Sequence, residues 1–297
     1  MKKVISTALV CLMAIFALSG CTNNHKDELK QAFENNAKWE SYKATIACDI
    51  KLVATGSDTT EQDMSFSGNM EYIKNKKTYL NMTLPSIFAM LAGTSSIVTY
   101  QEYTDNGVIT YTYNGTTWTK QTSVKETESS LLDATTLDLT DAYSILLDKA
   151  NFASEETIDS ASCYKYEMTL DWDTLISFMQ KVAEKNPDAV PDTYKDSTQL
   201  ALLKTYLSPY PPIKIQFWVD KSNVQIKQML LDATDTVKAY ITQQNKNLSE
   251  NATESSSETI PFNVNKLTAQ IKYSDVNNVS DITIPDAAKN AKETVTE

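Results

Sequence analysis

Ser162-Cys163-Tyr164-Lys165 matches the S-x-x-K string of penicillin-binding enzymes, which need the serine and lysine one turn apart on a helix. Here the string sits inside "SCYKYEMTLDW", whose alternation is that of a strand, so the two side chains point to opposite faces. The only histidine, His25, lies four residues after Cys21 in what reads as a tether, which removes Ser-His-Asp and Cys-His arrangements from the folded body. Histidine-based zinc sites go with them, and two body cysteines cannot close a thiolate site. Asp171 and Asp173 flank Trp172 and could be a carboxylate pair or metal ligands; capping of the following helix by Asp173 accounts for them more simply. Glu126, Glu128, Glu155 and Glu156 read as solvated loop charges. The N-x-S/T matches at Asn81, Asn114, Asn247, Asn251 and Asn278 are chance hits in an Asn/Thr-rich composition. No enzyme, metal or cofactor is expected.

One residue does have a chemical context. Lys2 and Lys3 precede an apolar run from Val4 to Leu18, and Ser19-Gly20-Cys21 follows. The run has the form of a secretory signal and is too short to span a bilayer, which takes roughly 20 apolar residues. An ordinary signal would not need the cysteine. Leu18-Ser19-Gly20-Cys21 resembles the bacterial lipobox, in which the thiol is joined to diacylglycerol and the bond before it is cut. Residues 1–20 are therefore expected to be a lipoprotein signal peptide, and 21–26 a tether held to the membrane through diacylglyceryl Cys21. Two acyl chains anchor a protein where one would hold only marginally.

Loss of residues 1–20 would remove Lys2 and Lys3 and no acid, leaving 25 Lys against 38 Asp+Glu, a net charge of −13. The chain has no arginine. That composition excludes a nucleic-acid partner, which would call for a basic, arginine-bearing face. An acidic body is also repelled by anionic lipid, so membrane contact should run through the tether and apolar elements. Cys48 alternates with Ile46, Ile50 and Leu52, whereas Cys163 stands opposite Tyr164, Tyr166 and Met168. The two point into different layers, which argues against a disulfide.

The elements that would position such a surface follow from periodicity. Residues 27–38 form a helix with Leu29, Ala32, Phe33 and Ala37 on one stripe. "YKATIACDIKLVAT" and "DMSFSGNMEYIK" alternate as strands through Ile46, Cys48, Ile50, Leu52 and through Met64, Phe66, Met70, Tyr72. "KKTYLNMTL", "SIVTYQEYT", "GVITYTYN" and "TTWTKQT" continue a meander, with turns at Asp105-Asn106-Gly107 and Asn114-Gly115. A short helix over 141–149, a helix through Leu175, Ile176, Met179 and Val182, and one through Leu200, Leu203 and Leu207 follow. "IKIQFWVDKSNVQIKQMLLD" is a hairpin turning at 220–223. Residues 246–259 have the composition of a mobile loop. "KLTAQIKYSDV" and "DITIP" close the chain before a polar tail, 290–297.

The lipobox, the leading helix, the meander, the helical section, the "FWVDKSN" hairpin and the terminal "YSDVNNVSDITIP" together resemble the LolA/LppX-like lipoprotein family, in particular Gram-positive lipoproteins of unknown function. The resemblance covers roughly residues 27–289 as a single domain and departs at 234–260. It implies an α+β fold in which a strongly curved antiparallel sheet, a half-barrel, carries helices on its concave side around an apolar cavity. In several members that cavity holds lipid or acyl chains.

On this basis the ligand lining is expected at Ile46, Ile50, Met64, Phe66, Met70, Ile87, Phe88, Leu91, Met179, Leu200 and Leu203, with the helices at 85–92 and 198–207 as covers. The expected function is a monomeric lipoprotein on the outer face of the cytoplasmic membrane of a Gram-positive bacterium, binding a lipid or other apolar small molecule. The alternative is a sensory or protein-interaction lipoprotein that meets an envelope protein.

Overall fold

The computed structural model describes residues 25–54, 61–86, 89–90, 93–105, 107–124, 140–185, 195–250 and 262–293. Helix α1, His25–Asn36, opens with Asp27 and Glu28, acids that suit the positive end of a helix dipole, and buries Leu29, Ala32 and Phe33 on one stripe. It starts two residues earlier than its periodicity suggested. His25 is thereby part of the body, and its place in a tether is corrected.

Strands β1 (Ser41–Ala54), β2 (Glu61–Asp63), β3 (Phe66–Ile73), β4 (Lys77–Thr83), β5 (Ser96–Thr104), β6 (Gly107–Tyr113) and β7 (Trp118–Val124) make the meander. Helix α2 (Thr140–Leu147), the β8 (Asn151–Ile158) and β9 (Ala161–Leu170) hairpin, and helices α3 (Trp172–Lys185) and α4 (Ser197–Leu207) come next. The chain finishes with β10 (Ile213–Asp220), β11 (Gln225–Asp232), α5 (Thr234–Glu250), β12 (Phe262–Ser274) and a short α6 (Asp286–Lys289). Residues 246–250 are thus the end of α5 and not a loop, while 251–259 lie outside the described residues.

All the strands join one antiparallel sheet in the order β7-β6-β5-β4-β3-β1-β12-β11-β10-β9-β8, with β2 alongside β1. The first and last long strands meet at its centre, where Ile46 faces Ile271 and Cys48 faces Ala269. From there the neighbours add outward in both directions, and β7 and β8 end the sheet as separate edges. The sheet is open and not strongly curved, so the half-barrel expectation is wrong. Strong curvature is built with bulges and register offsets. Register shifts occur at Lys51/Leu52, Phe152/Ser154 and Trp218/Val219, and the ladders from β3 to β7 run without one.

The main core lies where helices cover the β8–β11 end: Leu29, Phe33, Leu146, Tyr166, Met168, Phe217, Val219 and Ile226 form one buried cluster. Phe33 meets Phe217 edge to face at 5.3 Å. The C-terminal end of α1 is pinned to the β10–β11 turn, where Asn35 Nδ2 donates to Val224 O at 2.8 Å and the Ile226 amide donates to Asn36 Oδ1 at 3.1 Å. Helix α3 packs on α2 and, through Leu175 and Phe178, on this core. The cap of α3 is Asp171, which accepts from the Thr174 amide at 2.8 Å. Asp173, the cap expected from sequence, instead pairs with Lys204 of α4. Glu155 and Glu156 belong to edge strand β8 and not to a loop, and charges on an edge discourage pairing with another chain.

The opposite face at the β4–β7 end is closed by the chain's last segment. Lys77 Nζ holds Asp281 Oδ1 at 2.9 Å and Ile282 O at 3.0 Å. Ile284 and Ala288 bury against Tyr111, flanked by Tyr100, Ile109 and Trp118. The segment then reaches the free edge of β7, where Glu293 forms a parallel bridge with Lys120. Residues 290–293 of the expected polar tail therefore lie against the sheet, and 294–297 fall outside the described residues.

Candidate apolar binding surface

Antiparallel register sets the side chains of the helix-bearing face in rows. One row runs Phe152, Tyr166, Phe217, Met229, Ile271, Ile46, Gly68, Met82 and Ile97, through β8, β9, β10, β11, β12, β1, β3, β4 and β5. Tyr166 and Phe217, under α1, are each 1% exposed. From β11 onward the same row changes character: Met229, Ile271, Ile46, Met82 and Ile97 are only half-buried, with Gly68 buried among them.

Neighbouring rows repeat the pattern. Ala44, Met70 and Tyr72 form a buried cluster, with Tyr42, Ile46, Leu80, Ile271 and Tyr273 partly buried around it. Phe66 stands opposite Cys48 and Ile50 opposite Leu267, and all four are half-buried. Gly68, buried at the middle of the strip, lets β3 and β4 approach closely: a Cβ there would lie 2.7 Å from the backbone oxygen of Asn81. At one end Trp39 and Tyr42 pack with Tyr273, with ring centroids 5.1 Å and 5.5 Å from it. Burial, reinforced by Tyr273, Tyr72 and Tyr103, pushes the Tyr42 hydroxyl well above its ordinary value, so it stays neutral. At the other end α5 packs along β12 and buries Ile241.

Of the residues expected as lining, Ile46, Ile50, Phe66 and Met70 are brought onto this strip. Met64 lies just before β3, half-buried, with its amide donating to Ile50 O at 2.9 Å. Met179 is half-buried on α3; Leu200 is buried and Leu203 half-buried on α4, whose packing partner is α3. Those three belong to the helix layer. Ile87, Phe88, Leu91 and Cys21 lie outside the described residues. Leu80, Met82, Ile271 and Tyr273 also line the strip and were missed. The alternation in "KTYLNMT" and "KLTAQIKYS" was the signal that could have found them.

A separate cleft of about 360 Å³ opens at the β8–β10 end, between Asn151, Phe152, Glu167, Met168, Ile215 and Gln216, with none of the expected lining residues in it. Both body cysteines are free. Cys48 is on the helix-bearing face and Cys163 is buried on the other, and in each case burial is the largest influence raising the thiol pKa. Ser162 and Lys165 sit on strand β9, where Lys165 pairs with Glu156 and Glu167 at 3.3 Å and 3.0 Å. Among the described residues no three His, Cys, Asp or Glu side chains gather to hold a metal, and no helix is long and apolar enough to cross a membrane.

No protein-family model and no curated protein matches the chain. Solved structures do, at low identity and broad coverage. The lipoprotein LppX of Mycobacterium tuberculosis is 11% identical, over 87% of this chain and 97% of that one, with a TM-score of 0.40. LprF from Mycobacterium bovis is 12% identical, over 91% and 100%, with a TM-score of 0.42. A LolA superfamily protein from Nitrosomonas europaea is 12% identical, over 88% and 94%, with a TM-score of 0.26. At these scores ligand and partner must be read from this chain's own residues.

Proposed function

We propose that this chain is an extracytoplasmic lipoprotein, anchored through diacylglyceryl Cys21 to the outer face of the cytoplasmic membrane, that holds a lipid or acyl chain against the strip made by Ile46, Ile50, Phe66 and Met70. The observation that carries the reading is the change in burial along one apolar row, from 1% exposed at Tyr166 and Phe217 to half-buried at Ile46, Met82 and Ile97. An apolar ligand needs little else, because each methylene it buries contributes about 0.8 kcal/mol. No charged side chain has to converge on it. A lipid therefore fits a surface with no gathered polar site.

The test is native mass spectrometry of the purified lipoprotein, looking for lipid that remains bound and is displaced by a fluorescent fatty acid. Bound lipid in the native protein, reduced in an Ile46→Ser variant, supports the reading. A native protein that neither carries lipid nor binds the fatty acid at micromolar concentration ends it.

A protein partner is the second reading, and one observation favours it. Leu202 and Tyr206, one turn apart on α4, are 60% and 52% exposed. Apolar side chains grouped on an exposed helix face mark interaction sites. Crosslinking from α4 to one envelope protein, with no lipid retained, would establish that reading in place of the first.

A further inference from the structure

The entry of α1 decides which part of the body meets the bilayer. We infer that the surface around Phe152 and His25, formed by the N-terminal turn of α1 against the start of β8, rests on the lipid headgroups. The inference depends on the anchor at Cys21 in the reading above and is independent of the ligand.

The reach of the chain carries the argument. Helix α1 begins at His25 and is fixed to the sheet by its buried stripe. From Cys21 to His25 there are four backbone steps, which can span at most about 14 Å whatever their conformation. An acylated cysteine sits at the base of the headgroups, and the headgroup layer itself takes up about 5–8 Å on each side of the hydrocarbon. The first turn of α1 is therefore held close to the headgroup surface, and whatever flanks it is brought there too.

What flanks it suits that position. The His25 ring stacks on Phe152 at 4.3 Å with the planes 13° apart, and meets the edge of Tyr164 at 4.8 Å. Phe152 is 40% exposed, one of few large apolar side chains so open to solvent among the described residues. Charge around the group is mixed. His25 Nδ1 lies 3.0 Å from Glu28, and Lys221 sits 4.5 Å over the Tyr164 ring while pairing with Glu155; Lys26 and Asp27 are exposed beside them. With two lysines beside three carboxylates and no basic patch, contact is carried by Phe152 and its neighbouring rings. Tyrosine settles at the headgroup level, and an exposed phenylalanine inserts at the headgroup–acyl boundary. The contact should then hold on zwitterionic lipid and survive added salt, which screens charge over about 8–10 Å.

The acylated full-length lipoprotein, reconstituted in phosphatidylcholine nanodiscs, provides the test by hydroxyl-radical footprinting. Phe262, 37% exposed, is an internal reference of nearly the same openness as Phe152. Phe152 should be labelled several-fold less than Phe262, with the difference unchanged at high salt. Equal labelling of Phe152 and Phe262 on an acylated protein overturns the inference while leaving the anchor intact. The mass of the N-terminal peptide from the same sample reports the acyl group, and its absence would bring down the anchor and this inference with it.

Discussion

The indole Nε1 of Trp218 donates to the Glu156 carboxylate at 2.7 Å, joining β10 to edge strand β8 across β9. Lys165, on the strand between them, pairs with Glu156 at 3.3 Å and lies over the Trp218 ring at 5.4 Å. The edge is thus held by a charge-assisted bond as well as by its ladder.

Trp218→Phe should lower stability by about 1.5 kcal/mol at neutral pH, the lower end for a bond to a charged group, because Glu156 is partly exposed and keeps Lys165. The indole is the main cause holding the Glu156 carboxyl below its ordinary value of 4.5, with burial opposing and Lys165 and Ser154 adding. A depressed folded pKa means that this stabilisation is complete above 4.5 and is lost as pH falls through the folded value. Urea unfolding of both proteins at neutral pH and below pH 4.5 checks it; a gap that persists undiminished in acid would contradict the assignment.

Asp171→Ala should cost about 1 kcal/mol by removing the cap of α3. Asp173→Ala should change stability by less than about 0.5 kcal/mol, since it loses only a surface pair with Lys204. Thermal unfolding of the two variants in parallel distinguishes the roles, and a reversed order would restore Asp173 as the cap.

Gly68→Ala should destabilise by about 1–3 kcal/mol, because the new methyl meets a backbone oxygen that can move only with its strand. Denaturant titration gives the value. A neutral result would mean that β3 and β4 separate easily at this point.

Leu29→Ala should cost about 2–5 kcal/mol, as expected for emptying a site that is 1% exposed. Ile46→Ser, on the half-buried strip, should cost clearly less and yet abolish most fatty-acid binding. Fluorescent displacement beside unfolding measures both effects; equal loss of stability with unchanged binding would remove Ile46 from the surface.

Much of this architecture is written locally in the chain. Alternation through Ile46, Cys48, Ile50 and Leu52 and the Asn114-Gly115 turn identify strands and hairpins, because a side-chain period of two and a turn's backbone need only neighbouring residues. The stripe of Leu29, Ala32 and Phe33 identifies α1 in the same way. Strand β8 carries no such signal, because "NFASEETI" is an edge, exposed over much of its length, and lacks a regular apolar alternation. Either Asp171 or Asp173 satisfies the local pattern of a cap for α3, so the sequence alone does not choose between them. Burial of Trp172, whose Nε1 donates to Tyr210 O at 2.9 Å, starts the helix so that Asp171 reaches the free amide.

The pairing of β1 with β12 has no local signal at all, since Ile46 and Ile271 lie far apart in the sequence and only the tertiary fold sets them opposite one another. That pairing puts β1 and β12 at the centre of the sheet and leaves β7 and β8 as its edges. The same limit applies to the binding surface. Periodicity told which face of β1 and β3 is apolar, but how much of that face is covered depends on where distant helices return to the sheet, and burial there is a property of the packed molecule alone.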